Sequence, residues 1–237
     1  MRSVFGETRL DIVAPALRMN DQRDEALDAL DSIKDRKIRL MFATLIEHLP
    51  LEKESQVAEE TFVATYIAPV LQGTLRTNEK ISIHFPNTAS MAQKDEGVRA
   101  DRPDITAKIG RRELLIGEVT GPCQETNHAK NAWDLYRLAR FGKALLGSRP
   151  FAPLIQIVHT KGVYMRLTVK ARGMFLLERV GTFVVPTSID MVPSLLGTIQ
   201  TLAAAKEDLA VLMEQKPENR KRSWDFPDLP HAKKFLV

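Results

Sequence analysis

The residues best placed to do chemistry are Asp104 and Glu118, which flank the dipeptide Gly110-Arg111. Residues 102–109 and 112–120 each read as a strand, so the two acids lie on the arms of one hairpin. If the turn centres on Arg111, Asp104 stands directly opposite Glu118. Opposed residues of an antiparallel pair share a face, with Cβ atoms about 5 Å apart. Carboxylates that close repel one another unless a cation lies between them. Period two aims Thr120 at the same face, while Val119 points away. This arrangement suits phosphodiester hydrolysis, in which a metal ion neutralises charge and activates water. Magnesium keeps several waters of its own, so one or two protein carboxylates suffice to hold it.

The segments Arg102-Pro103-Asp104 and Ile116-Gly117-Glu118-Val119-Thr120-Gly121-Pro122 resemble the PD-(D/E)XK, or restriction-endonuclease-like, nuclease superfamily, and most of all its uncharacterised fungal members. The likeness takes in His84-Phe85-Pro86-Asn87-Thr88, the stretch Asp134 to Lys143 and the strand holding Gln156, and it ends near Ser188. It implies an α/β fold with a restriction-endonuclease-like core, a central mixed sheet flanked by helices, with additional N-terminal and C-terminal helices. It further implies Asp104 and Glu118 as ligands of Mg2+ or Mn2+, supported by Glu59 or Glu60 from the first core helix. The activity implied is metal-dependent cleavage of DNA or RNA.

Thr120 departs from that pattern, because the superfamily has a lysine there. A hydroxyl binds water but carries no charge to stabilise the developing phosphorane. Either catalysis is lost and the fold serves as a nucleic-acid or protein binding module, or another cation has moved in. Lys130 and Lys143, on the helix that follows Glu118, are the candidates. On the same helix, Arg137 and Arg140 are one turn apart and suit a phosphate backbone, or pairing with Asp134 or Glu125. Near the C-terminus Arg220-Lys221-Arg222 precedes Trp224 and Phe226, a mixture of bases and aromatics that suits single-stranded nucleic acid.

Around this hairpin the sequence divides into three parts: a helical arm over 1–50, a nuclease-like core over 51–190, and a C-terminal helix with a basic tail over 191–237. A long helix is expected from Asn20 or Asp21 to His48, with Leu27, Leu30, Ile33, Ile38, Met41, Leu45 and Leu49 on one stripe. That stripe suits core packing or a homo-oligomer contact. A second helix starts at Ser55, and Pro69 kinks or ends it before Gly73. A short strand follows at 81–85, and residues 87–97 read as a loop. Asn127 to Leu146 form a helix with Ala129, Ala132, Trp133, Tyr136, Ala139, Arg140 and Lys143 on one broad face. Strands are expected at 154–160, 164–170 and 175–185, and a last helix from Ser194 to Gln215.

Composition narrows the function classes. The 237 residues include one cysteine, Cys123, which excludes an intramolecular disulfide and a thiolate-rich zinc site. With charged residues at 27% and a net charge of +4, a polyanionic partner is favoured over a basic one. No apolar run is long enough to span a bilayer, so an intracellular home, cytoplasmic or nuclear, is expected. His84, His128 and His159 share no metal-ligand spacing, Cys123 lacks a paired histidine, and no phosphate-binding G-x-x-x-x-G-K loop occurs.

Overall fold

The computed structural model describes residues 23–52, 57–76, 80–85, 88–95, 97, 99–147, 149–171 and 173–215. Six strands form one mixed sheet: β1 (Ser82–His84), β2 (Ile105–Ile109), β3 (Arg112–Thr120), β4 (Ala152–Val158), β5 (Lys161–Ala171) and β6 (Met174–Val184). Sequence neighbours are sheet neighbours throughout. All pairs are antiparallel except β3 with β4, where helix α5 (His128–Leu146) returns the chain and makes the pair parallel. The architecture is α/β, with helices flanking the sheet on both faces.

Side-chain alternation along β3 divides the interior in two. Ile116 joins Leu138, Phe141 and Leu145 of α5, together with Leu154 and Leu167, beneath that helix. Leu115 and Val119 point the other way, into a larger cluster with Phe42, Phe62, Leu71, Ile155 and Leu202. Helices α1 (Arg23–Ala29), α2 (Arg36–His48), α3 (Glu59–Leu75) and α6 (Leu195–Glu214) supply that side. Because β3 is central and covered on both faces, every residue from Glu113 to Thr120 is buried. A carboxylate on this strand is therefore carried into the interior.

Several elements differ from the sequence expectation. The first long helix is broken: α1 ends in a 3₁₀ turn over Leu30–Ser32, and α2 starts afresh. Asp35 causes the break, its carboxylate accepting the backbone N–H groups of Lys37 (2.9 Å) and Ile38 (3.3 Å) as an N-cap. The apolar stripe runs on across the gap, with Leu30, Ile33, Ile38, Met41, Leu45 and Leu49 all buried. This stripe is engaged within the chain's own core.

Helix α3 runs through Pro69 without ending there. It comprises Glu59–Phe62, a π-helical turn over Val63–Ile67, and Ala68–Leu75. The wider turn, closed by the Ala68 N–H on the Val63 carbonyl, opens the helix just before the proline ring needs room. Gly73 is not a terminator either. An added Cβ there would come within 2.6 Å of Met41 Cβ, so the glycine lets α3 approach α2 closely. The expected start at Ser55 lies outside the described residues.

Residues 87–97 contain a short helix, α4 (Met91–Asp95), where a loop is expected. Its cap is supplied from a distance: Glu113 on β3 accepts from Met91 N–H (2.9 Å), Ala92 N–H (2.9 Å) and Ser90 Oγ (2.7 Å). On α5 the broad face expected from sequence is the outward one. The inward stripe is Asp134, Leu138, Phe141 and Leu145.

A second polar cluster fastens α6 to β5. Asp208 accepts the Tyr164 hydroxyl, Arg166 Nε at 2.5 Å and Arg166 Nη2 at 2.8 Å. Burial and the Asp208 charge push the Tyr164 phenol upward, so it stays a donor.

Candidate active site

The register of the hairpin at Ile105 and Gly117, next to the acidic pair, is the expected one, reached by a different route. Ile109 pairs with Arg112 around a two-residue turn, with Gly110 at φ +55°, a conformation that favours glycine. A β-bulge at Leu114 then shifts the register, so that Ala107 faces Leu115 and Ile105 faces Gly117. One step further, the Asp104 N–H donates to the Gly117 carbonyl at 3.2 Å. Asp104 Oδ2 accepts the Val119 N–H at 2.8 Å. Asp104 thus stands beside Glu118 at the end of β3 nearest α5.

Glu118 has no exposed surface. Its Oε2 accepts Arg137 Nη1 at 2.7 Å, while Oε1 has no hydrogen-bond partner. Burial first, and then the neighbouring Asp104 charge, push the Glu118 carboxyl up to about 9 against the pull of Arg137. Asp104 is close enough to accept a hydrogen bond from the protonated form. Burial also raises the Asp104 carboxyl, opposed by its bond from Val119. The two acids form a pair that holds a proton at neutral pH.

Beside them Thr120 is fully buried and donates Oγ1 to Asp134 Oδ2 at 2.9 Å. Lys130 rises from the first turn of α5, where Asn127 caps the helix by accepting the Lys130 N–H at 3.0 Å. Its Nζ lies 3.3 Å from Thr120 Oγ1, 3.3 Å from the Val119 carbonyl and 3.2 Å from Asp134 Oδ2. Glu59 Oε2 is 3.5 Å from the same ammonium and accepts the Gly121 N–H at 3.1 Å.

The structure therefore brings Asp104, Glu118, Thr120, Lys130, Arg137 and Glu59 into one cluster. Glu60, one position on and so about 100° around the helix, is exposed and outside it. Lys143 lies in the last turn of α5, about 20 Å along the helix from Lys130. Arg137 is engaged with Glu118, with the Arg102 carbonyl (2.6 Å) and, at 3.6 Å, with Asp134. Arg140 pairs with Asp101 at 3.0 Å. Arg220, Lys221 and Arg222 lie outside the described residues, as do Pro86 and Asn87.

Asp134 is a member the sequence reading did not select for the site. Lys130, Asp134 and Arg137 recur at i, i+4 and i+7, a charged stripe on the inward face of a helix, and that spacing was its signal. Gln156 was reached only as part of a strand. It sits beside Glu118 in the parallel register and donates to the Asn131 carbonyl at 2.9 Å. His159 closes this end of the sheet. Its N–H donates to the Thr120 carbonyl at 2.8 Å, its Nδ1 is 3.3 Å from Glu125 Oε2, and its ring stacks on Phe62.

Among the described residues no group of three or more His, Cys, Asp or Glu side chains is disposed to hold a metal ion. A magnesium site needs fewer protein ligands than that. Asp104 and Glu118 fit such a site: burial raises both carboxyls against the pull of Arg137, and Glu118 Oε1 is buried without a partner. Glu59 stands close enough for its charge, after burial, to raise the Asp104 carboxyl, while its Oε2 is engaged by Lys130 and Gly121.

No protein-family model, no curated protein and no solved structure matches this chain. No described helix is long and apolar enough to cross a membrane.

Proposed function

We propose that the protein is a restriction-endonuclease-like, metal-dependent nuclease whose motif lysine has moved from strand to helix. The observation that carries this reading is the 3.3 Å separation between Lys130 Nζ and Thr120 Oγ1. The ammonium stands at the position toward which a lysine on β3 would extend, so the cluster keeps two acids and one adjacent cation. Helix α3, the β1–β2–β3 meander, the α5 crossover and parallel β4 supply the mixed sheet and flanking helices that the resemblance implies.

Asp104 and Glu118 would hold Mg2+ or Mn2+, which when bound supplies charge neutralisation and an activated water. Asp104 is fixed by the Val119 N–H and so presents its remaining oxygen in one direction. Lys130 is held by Asp134 and the Val119 carbonyl, and offers its ammonium to charge developing on phosphorus. Arg137 and Arg140 suit the flanking phosphates once substrate replaces their carboxylate partners. Nucleic acid is the proposed partner on this reading.

A second reading is favoured by one feature. Arg137 already neutralises Glu118, which has no exposed surface, as expected of a silent descendant retained for binding. Cleavage of plasmid DNA and of a mixed-sequence RNA with Mg2+ or Mn2+ separates the two. Wild type should cut, Lys130→Ala should lose roughly a hundredfold in rate, and Lys143→Ala should retain full rate. Thr120→Lys should lower activity by crowding Lys130 in a fully buried position. Absence of cleavage by wild type and Thr120→Lys with every divalent metal leaves the binding module.

A further inference from the structure

The opposite end of β3 carries a pair of arginines that the hydrolytic reading does not use. Arg149 precedes β4, and its Nη1 is buried without a hydrogen-bond partner. Burial, and then the like charge of Arg112, push its guanidinium down to about 10, so it remains a cation at neutral pH. Glu113 is the carboxylate that opposes this shift. Its oxygens are already engaged by Met91 N–H, Ala92 N–H and Ser90 Oγ, which fix it as the cap of α4.

Arg112 is half-buried and donates Nη1 to the Gln215 carbonyl at 2.9 Å. Neither arginine forms an ion pair with a described carboxylate. Two more cations share this end of the sheet. Arg111 is exposed at the β2–β3 turn, and burial, then the charge of Lys108 on β2, lower the His84 imidazole. A desolvated guanidinium with an unmet donor costs stability that an apolar side chain of similar size would not. Such a donor, beside a second arginine, is complementary to an anion with several acceptor oxygens.

We propose that Arg149 and Arg112 form a phosphate-binding site, with Arg149 Nη1 donating to a phosphate oxygen and Arg112 supplying the second charge. A phosphate offers the planar guanidinium paired acceptors at the right spacing, which a chloride ion cannot. Free orthophosphate and the backbone phosphate of a nucleic acid present the same group. The proposal is independent of whether the acidic cluster hydrolyses anything.

Thermal unfolding in phosphate-free buffer, then with sodium phosphate at constant ionic strength, tests it without any metal. Phosphate should raise the Tm of the full-length protein. Arg149→Met should raise the phosphate-free Tm and lose the response to phosphate, since it removes an unmet buried cation. Arg149→Lys keeps the charge without the planar fork, and should weaken the response at least about tenfold. The source is read from a labelled single-stranded oligonucleotide followed by anisotropy in EDTA. Binding that weakens in Arg149→Lys while orthophosphate has no effect assigns the site to backbone phosphate; the reverse assigns it to free phosphate. Equal responses in wild type and Arg149→Lys, or no response to either ligand, overturn the proposal. So does a phosphate-free Tm that falls in Arg149→Met, because that would make the arginine part of the fold's own support.

Discussion

Asp208 and Glu118 are both carboxylates carried into the interior, and both face an arginine, but their surroundings differ. Asp208 takes a two-point contact from Arg166 and a third hydrogen bond from Tyr164, with both oxygens occupied. Glu118 receives one bond from Arg137, has an oxygen with no partner, and stands beside a second acid. The first arrangement completes itself and fastens α6 to β5. The second is short of positive charge, and a buried group short of partners is where a ligand gains most. Burial and an arginine neighbour do not separate a structural ion pair from a candidate site; completeness of bonding does.

The largest expected effect lies on the structural side of this contrast. Asp208→Ala leaves Tyr164 without its acceptor and Arg166 unpaired, and should destabilise by about 3 kcal/mol, the low end for a broken buried pair because Arg166 retains some solvent. In a chain of this size that is a fall in Tm of roughly 6–12 °C. A change under about 1 kcal/mol would remove the cluster from the fold's main supports.

Metal should act on the other cluster alone. Manganese or magnesium at a hundredfold over Kd should stabilise the wild type by about 2.7 kcal/mol. Asp104→Asn should abolish the gain and Asp208→Ala should leave it intact. A gain that survives Asp104→Asn places the metal elsewhere.

The pH dependence of the same cluster is the most diagnostic. Glu118 is raised from 4.5 to about 9, so the folded state keeps a proton that the unfolded chain releases. The stability this contributes is fully present below pH 4.5 and is lost as pH rises toward 9. Glu118→Gln mimics the protonated form and removes that loss. Its Tm should match the wild type near pH 4 and exceed it by a margin that widens as pH rises toward 9. Matching profiles across the range would mean that Arg137 keeps Glu118 ionised.

The hairpin was legible because period two and a Gly-Arg turn are local signals, and Asp104 and Glu118 followed from them. The register at Ile105 and Gly117 came out right although the turn centre did not, since the tighter turn and the bulge at Leu114 offset one another. The break before α2 was hidden because the apolar stripe continues across it and only Asp35 marks the gap. Glu113 capping α4 and Glu59 receiving the Gly121 N–H join residues far apart in the chain, and no local pattern reports such pairs. Lys130 was legible as a candidate but not as the choice over Lys143. Which of two lysines on one helix reaches a strand depends on where that helix crosses the sheet.

The bulge at Leu114 makes the hairpin behave like a reading frame. Each strand residue is assigned to one side of the sheet or the other by counting from the turn, and the bulge takes Leu114 out of the count, so that Glu118 falls on the side of Arg137. Deleting it would leave Lys108 opposite Glu113 and Ala107 opposite Leu115 in a regular ladder, and everything beyond would keep its side; flattening the bulge with Leu114 retained would instead send Gly117 and Val119 among the cations and Glu118 among the aromatics beneath α3. The loss of one residue at the bulge is thus absorbed, whereas a change of one residue in length between Leu115 and Glu118 acts as a frameshift in space.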